Sequence, residues 1–144
     1  MTALDARAIV RLGGKTEVPL DVRVLGATHR DLPSEVAGKR FREDLYYSLS
    51  SFTLRVPPLR ERAVEVDLFA HLFALQFSAR AGHLTAELTE YASAALAKYD
   101  WPENVRELRE AIRSAVTVTH GGALDVTSLP EAIRKRASVR AVKL

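Results

Sequence analysis

Phe41–Arg62, FREDLYYSLSSFTLRVPPLRER, and a second stretch at residues 100–108, DWPENVREL, decide how the rest of the chain is read. In the first, Phe41, Leu45 and Leu49 recur at intervals of four, the spacing of one helical face. Pro57-Pro58 then interrupts the chain and favours an extended connector, since proline lacks an amide donor and biases its predecessor away from helix. In the second, Asn104 followed three residues later by Glu107 has a capping-box pattern. It launches Val105, Leu108, Ile112, Ala115 and Thr119 along one core-facing line. The proline pair therefore divides two kinds of sequence.

Upstream, the chain reads as β structure. Ala8–Leu12 and Lys15–Val18 flank Gly13-Gly14, a pair suited to a two-residue hairpin turn, and Pro19 should break the pairing there. Val22–Ala27 is almost wholly apolar, as a central strand buried on both faces would be. It runs into Thr28, His29, Arg30 and Asp31, and in open α/β sheets ligands sit at the carboxyl ends of strands. Downstream, helical signals take over. Asp67–Ala81 carries Leu68, Phe69, Leu72, Phe73, Leu75 and Phe77 around much of its girth, which predicts deep packing, with Gly82 ending the helix. Thr89 is placed to cap a helix bearing Ala92, Ala95, Leu96 and Tyr99, Gly121-Gly122 stops the helix after it, and a short helix should follow Pro130.

The bulk properties narrow the function classes. At 144 residues and 47% apolar composition, the chain is large enough for one domain or two small ones with a real core. It has no cysteine, which excludes a disulfide framework and thiolate chemistry and fits a reducing cytoplasm. No apolar run approaches a membrane span, and the first ten residues lack the order of a signal peptide. The net charge of +3 is modest. It is concentrated after Glu131 in Arg134, Lys135, Arg136, Arg140 and Lys143, with no interleaved base-reading aromatics, so this basic end reads as a solvated tail.

Several chemistries lack their residues. A phosphate-binding loop requires G-x-x-x-x-G-K-[ST], but Gly14-Lys15 has Ile9, and Gly38-Lys39 has Pro33, where the opening glycine should stand. No Asp-Glu pair follows an apolar strand to hold magnesium. Histidines 29, 71, 83 and 120 are scattered without metal-ligand spacing, and no G-x-S-x-G elbow occurs.

Taken together, FREDLYYSL, LRVPPLRER and DWPENVREL resemble the second half of the AAA+ ATPase domain in sigma-54-dependent bacterial transcriptional activators, over about residues 8–130. The resemblance implies an α/β fragment followed by an all-α lid: a partial AAA+ P-loop NTPase fold without the Walker A and Walker B half. It implies an α/β core piece over residues 1–56, a helical lid over 57–136 and a basic tail over 137–144. Arg42 matches the segment carrying arginine fingers, which reach the ATP of a neighbouring subunit; a guanidinium offers a rigid fork of donors to the charge on a transferring phosphoryl group. Its bland reading is a surface residue paired with Glu43 or Asp44. The family's second arginine, six residues on, is Ser48 here. His29 stands at the sensor I position, where the family has asparagine. Arg106 matches sensor II, the lid arginine that contacts the phosphates of its own subunit, and Glu103 replaces a common glycine. Its bland reading is an ion pair with Glu110 at i,i+4.

Three functions follow as expectations. The first is ATP-dependent activation of sigma-54 RNA polymerase, with ATP and Mg2+ bound only in a complete domain and with neighbouring AAA+ subunits as partners. This chain alone is then expected to be an inactive ATPase, a late-started or truncated product. The second is a non-catalytic module that joins or poisons rings of full-length activators, or a relic. The third, DNA binding through residues 104–119 as a recognition helix, is disfavoured by Glu107 and Glu110 among Arg106, Arg109 and Arg113. The lid is expected to be stable, and Val22–Ala27, short of strand partners, to be loose or oligomerising.

Overall fold

The computed structural model describes residues 6–83 and 87–139, and the chain divides into two compact units, Met1–Arg55 and Val56–Leu144. In the first, β1 (Ala8–Val10) and β2 (Glu17–Pro19) pair antiparallel, with Ala8 opposite Pro19, Ile9 opposite Val18 and Val10 opposite Glu17. That register centres on Gly13-Gly14, as the glycine pair requires. The ladder opens before reaching them, however. The Gly14 amide donates to the Arg11 carbonyl at 2.8 Å, closing a four-residue turn in which Gly13 takes φ +77°, a value costly for other residues.

Pro19 does not break the pairing. The Leu20 amide donates to the Arg7 carbonyl at 2.6 Å, so the residues flanking Pro19 carry the ladder bonds. Pro19 then sits at a non-hydrogen-bonded position of the antiparallel register, where its missing amide costs nothing. A second expectation is also corrected. Val22–Ala27 is extended but joins no strand among the described residues, and Val22, Val24 and Leu25 are exposed. A strand apolar on both faces needs neighbours on both edges, and β1 and β2 pair only with each other.

Among the described residues, two short helices follow in this unit. In α1 (Leu32–Ala37) Pro33 occupies the first turn, where no amide bond is lost, and the Ser34 hydroxyl donates to Asp31. Helix α2 (Glu43–Leu49) begins directly after Arg42, with Glu43 and Asp44 in its first turn, where the helix dipole favours acids. Among the described residues up to Arg55, none is buried.

The second unit holds the core. A 3-10 turn at Leu59–Glu61 leads into α3 (Ala63–Arg80), followed by α4 (Glu90–Ala97), α5 (Asn104–Thr119), a 3-10 turn at Val126–Ser128, and α6 (Glu131–Val139). Helix α3 packs chiefly against α5 and α4. Leu59, Val66, Leu96, Trp101, Leu108, Ile112, Val116 and Leu124 are almost wholly buried between them. Thr89 caps α4 as its sequence implies: its hydroxyl oxygen accepts the Ala92 amide at 3.2 Å and donates to Asp125 at 2.8 Å. The amide of Leu124 donates to Glu87, and that of Thr89 to Leu124, pinning the loop after α5 to the start of α4.

Helix α3 starts four residues before the sequence suggests and ends in a Schellman arrangement. The Gly82 amide donates to Ala79 and the His83 amide to Ser78, with Gly82 at φ +72°. Its packing is one-sided rather than all round. Val66, Ala70, Ala74, Phe77 and Ser78 are buried, while Val64, Leu68, Leu72 and Leu75 form an exposed stripe. Among the described residues, four helices and two 3-10 turns bury one face of α3 and leave the other exposed. Helix α5 ends at Thr119, where His120 takes a left-handed conformation one residue before the glycine pair.

Residues 137–139 belong to α6, and the remainder of the basic tail, with Arg140 and Lys143, lies outside the described residues. No helix among the described residues is long and apolar enough to cross a membrane.

Candidate functional site

Arg42 stands at the N-cap of α2, where its extended φ/ψ turns the chain outward and its carbonyl accepts the Tyr46 amide at 3.0 Å. Its guanidinium grips Asp44 through both carboxylate oxygens, Nε to Oδ1 at 3.1 Å and Nη2 to Oδ2 at 2.7 Å. This bidentate bond holds the Asp44 carboxyl below its ordinary range and raises Arg42 further. Both groups are solvent-exposed, so the pair is weak and exchangeable. Arg42 is thus shaped as an outward fork resting on a carboxylate of its own helix. A shallow cleft of about 450 Å³ runs beside it, lined by Val36, Lys39, Arg40, Phe41 and Glu43.

Ser48 donates back to the Asp44 carbonyl at 3.0 Å, so this position ties the helix to itself. His29 lies in an exposed bend after Thr28, whose hydroxyl oxygen accepts the Arg30 amide at 3.0 Å. Its position follows the unpaired extended segment rather than a formed strand.

In the helical unit, Arg106 is the third residue of α5 and is exposed. The sequence offered Glu110 as its partner, but Glu110 pairs with Arg113 at 2.5 Å and with Arg109 at 3.7 Å. Among the described residues no acid lies within ion-pair distance of Arg106. A cation in the first turn of a helix opposes the dipole there, which favours anions. Arg106 and the helix end therefore attract the same kind of ligand. Arg109 is occupied differently, with its guanidinium 5.4 Å from the Phe77 ring centroid.

The turn that aims Arg106 departs from the capping box. Asn104 does not cap α5; its Oδ1 accepts the Leu59 amide at 2.7 Å, joining the connector to the head of the helix. Glu107 instead reaches back to the Glu103 amide at 3.1 Å with one oxygen and accepts the Tyr99 hydroxyl at 3.0 Å with the other. The helix instead starts at Asn104 with Glu103 at the N-cap, one residue before the capping-box position, and Asn104 itself takes φ +55°, a left-handed value. Burial first, and the Glu107 bond second, raise Tyr99 above its ordinary value. Sequence reasoning missed Asn104 to Leu59 and Tyr99 to Glu107. The first spans 45 residues and has no local pattern; the second was masked by the capping-box reading.

A cleft of about 360 Å³ lies on the same unit, lined by Arg60, Tyr99, Asp100, Pro102 and Arg136. Arg136 of α6 is paired with Asp100 across it. Among the described residues there is no cluster of three or more His, Asp or Glu side chains fit to hold a metal ion.

Residues 60–143 match the AAA+ ATPase lid domain, and residues 1–55 match the Sigma-54 interaction domain. The chain is 39% identical over 133 residues to the transcriptional regulatory protein ZraR of Salmonella typhimurium, covering 92% of this chain and 30% of ZraR. It is 43% identical over 118 residues to the response regulator PilR of Pseudomonas aeruginosa, covering 82% of this chain and 26% of PilR. Among solved structures it is similar to NtrX of Brucella abortus in complex with ADP, at a TM-score of 0.81 and 29% identity. That match covers 93% of this chain and 31% of NtrX. The chain therefore spans about a third or less of the relatives it matches.

Proposed function

This chain belongs to the sigma-54 activator family of AAA+ ATPases, of whose ATPase domain it carries a part, and from that premise we propose that it is the finger-and-lid portion of an ATP-driven transcription activator. Arg42 serves a neighbouring subunit's nucleotide in trans, Arg106 its own subunit's nucleotide in cis, and His29 stands at the sensor I position. The solved relative NtrX binds ADP, and ATP with Mg2+ would supply the transferable phosphoryl group in a complete domain. The partners are neighbouring AAA+ subunits and sigma-54 RNA polymerase, in the cytoplasm. Direct DNA contact is not part of the reading, because the exposed face of α5 alternates Glu110 with Arg109 and Arg113 in ion pairs.

The observation that carries the reading is Arg106: a cation without an ion-pair partner among the described residues, set in the first turn of a helix, where it and the helix end would both attract an anion. Arg42 supports it more weakly, since its fork is exposed but rests on Asp44. The test is a chimera in which residues 8–130 of this chain replace the matching stretch of NtrX. ATP hydrolysis is expected in the chimera. Loss of one phosphate contact in Arg106→Ala should lower it by about 100-fold, the cost of a removed charge-stabilising donor. A chimera that hydrolyses ATP equally well with Arg106→Ala would overturn the assignment.

The second reading, a module that joins and poisons rings, is favoured by the exposed fork of Arg42, which would reach a neighbouring subunit. Adding the chain to complete ZraR separates the two. Inhibition below stoichiometric amounts, relieved by Arg42→Ala, supports ring insertion; unchanged hydrolysis at tenfold excess removes it.

A further inference from the structure

Two residues in the turn before α5 have left-handed backbones, Trp101 at φ +51° and Asn104 at φ +55°. Asparagine tolerates this region, but a bulky tryptophan does not adopt it without constraint. Such conformations persist only where the surroundings over-determine them, and they concentrate at sites that must be held in one geometry. Here the constraints are visible. Trp101 is fully buried, donates Nε1 to the Leu96 carbonyl at 3.0 Å, and meets Tyr99 edge-on at 5.0 Å. Its own carbonyl accepts the Asn104 amide at 2.8 Å.

Resting on the reading of Arg106 as a phosphate contact, we propose that Glu107 and Asn104 are positioning residues that preset Arg106 before any nucleotide arrives. Glu107 locks the turn from both sides, with Tyr99 on one oxygen and the Glu103 amide on the other. Asn104 locks it from below, through the Leu59 amide. The arrangement also occupies two acids that could otherwise neutralise Arg106. Glu107, its chain neighbour, is spent on Tyr99 and Glu103, and Glu110, one turn on, is spent on Arg113 and Arg109. A backbone held in one geometry at Arg106 leaves less to be ordered when its side chain meets a phosphate, which is the advantage of preorganisation.

The test uses the whole chain and reads Arg106 directly by NMR, from the relaxation of its backbone amide and its Nε–H, with Arg113 on the same helix as the control. Glu107→Ala removes both bonds. Asn104→Gly keeps the left-handed backbone at no steric cost but loses the acceptor for Leu59. Glu107→Gln and Asn104→Asp each keep an acceptor and serve as rescues. The expected result is a fall in the backbone-amide order parameter of Arg106 from about 0.85 toward about 0.6 in Glu107→Ala and Asn104→Gly. Arg113 should be unchanged, and the Leu59 amide should exchange at least tenfold faster in Asn104→Gly. Both rescues should restore Arg106.

Titration with sodium triphosphate separates this inference from the reading beneath it. In the wild type the Arg106 Nε resonance should shift, with roughly fivefold weaker affinity in the two disrupting variants, a modest loss of preorganisation. If Arg106 stays as ordered in both disrupting variants as in the wild type, the positioning role is overturned. If it loosens in them while the wild type ignores triphosphate, the positioning stands and the phosphate assignment of Arg106 fails.

Discussion

The two units differ in the one property that makes a fold self-sufficient. Up to Arg55 no described residue is buried, and Val22, Val24, Leu25, Phe52 and Leu54 leave half or more of their surface in water. From Val56 onward four helices enclose Trp101, Leu96, Leu108 and Ile112 completely. Both units are rich in apolar residues, so composition does not separate them. Helices close their own backbone bonds and need only a partner for one stripe, whereas a two-faced strand needs neighbours on both edges and layers on both sides. The helical unit therefore carries its core within itself, and the upstream unit leaves apolar side chains exposed among the described residues.

The largest expected effect breaks that comparison most directly. Leu108→Ala should destabilise the helical unit by about 2–5 kcal/mol, because the fully buried side chain leaves a cavity between α5 and α3. Val24→Ala should change thermal stability by less than about 0.5 kcal/mol, since half of that side chain is already in water. Comparable losses of melting temperature in the two variants would contradict the division. Native-state hydrogen exchange should agree, with amides of Ile112 and Ala115 protected and those of Ala8–Val10 exchanging fast.

Thr89→Ala comes next, at about 1 kcal/mol, because it removes the cap of α4 together with its bond to Asp125. Thr89→Asn, which retains a capping oxygen, should recover most of the melting temperature. Tyr99→Phe should cost a similar or smaller amount, about 1 kcal/mol, through the lost bond to Glu107. Tyr99 also gives the lid an alkaline limit. Its folded value is raised, so its contribution is fully present below the ordinary value of 10.0 and is lost as pH rises through the folded one. A melting-temperature profile between pH 9 and 12 should fall for the wild type and flatten in Tyr99→Phe.

The smallest stability effect belongs to the upstream unit. Asp44→Asn should leave the melting temperature unchanged and release the Arg42 guanidinium, read as increased mobility of its Nε–H. Acid should do the same. The Asp44 carboxyl is lowered, so the pair is complete above the ordinary 3.8 and is lost as pH falls through the folded value. An Arg42 resonance indifferent to both changes would mean that the ion pair does not hold the fork in solution.

How much of this was legible depends on whether the deciding contact was local. The cap at Thr89, the stop at Gly82 and the buried line through Leu108, Ile112 and Ala115 were readable, because each depends on neighbours within one or two turns. The helices that carry Arg42 at the N-cap of α2 and Arg106 in the first turn of α5 were readable from their periodicity. The ion-pair choice of Arg106 was not, since three arginines compete for Glu110 and only side-chain geometry selects Arg113 and Arg109. The burial of α3 was overestimated for a related reason. Apolar residues all around a helix show that it can be covered, but the number of neighbouring helices decides how much is.

By itself the sequence determined the fold class and the family of the chain, because turn chemistry and hydrophobic period act over a few residues. Tertiary structure alone decided that Asn104 serves Leu59 rather than its own helix, that Glu107 joins Tyr99 to the turn, and that Trp101 accepts a left-handed backbone. Those outcomes depend on which segments meet in space. A donor 45 residues away competes with a local cap on equal terms once packing has brought it to 2.7 Å.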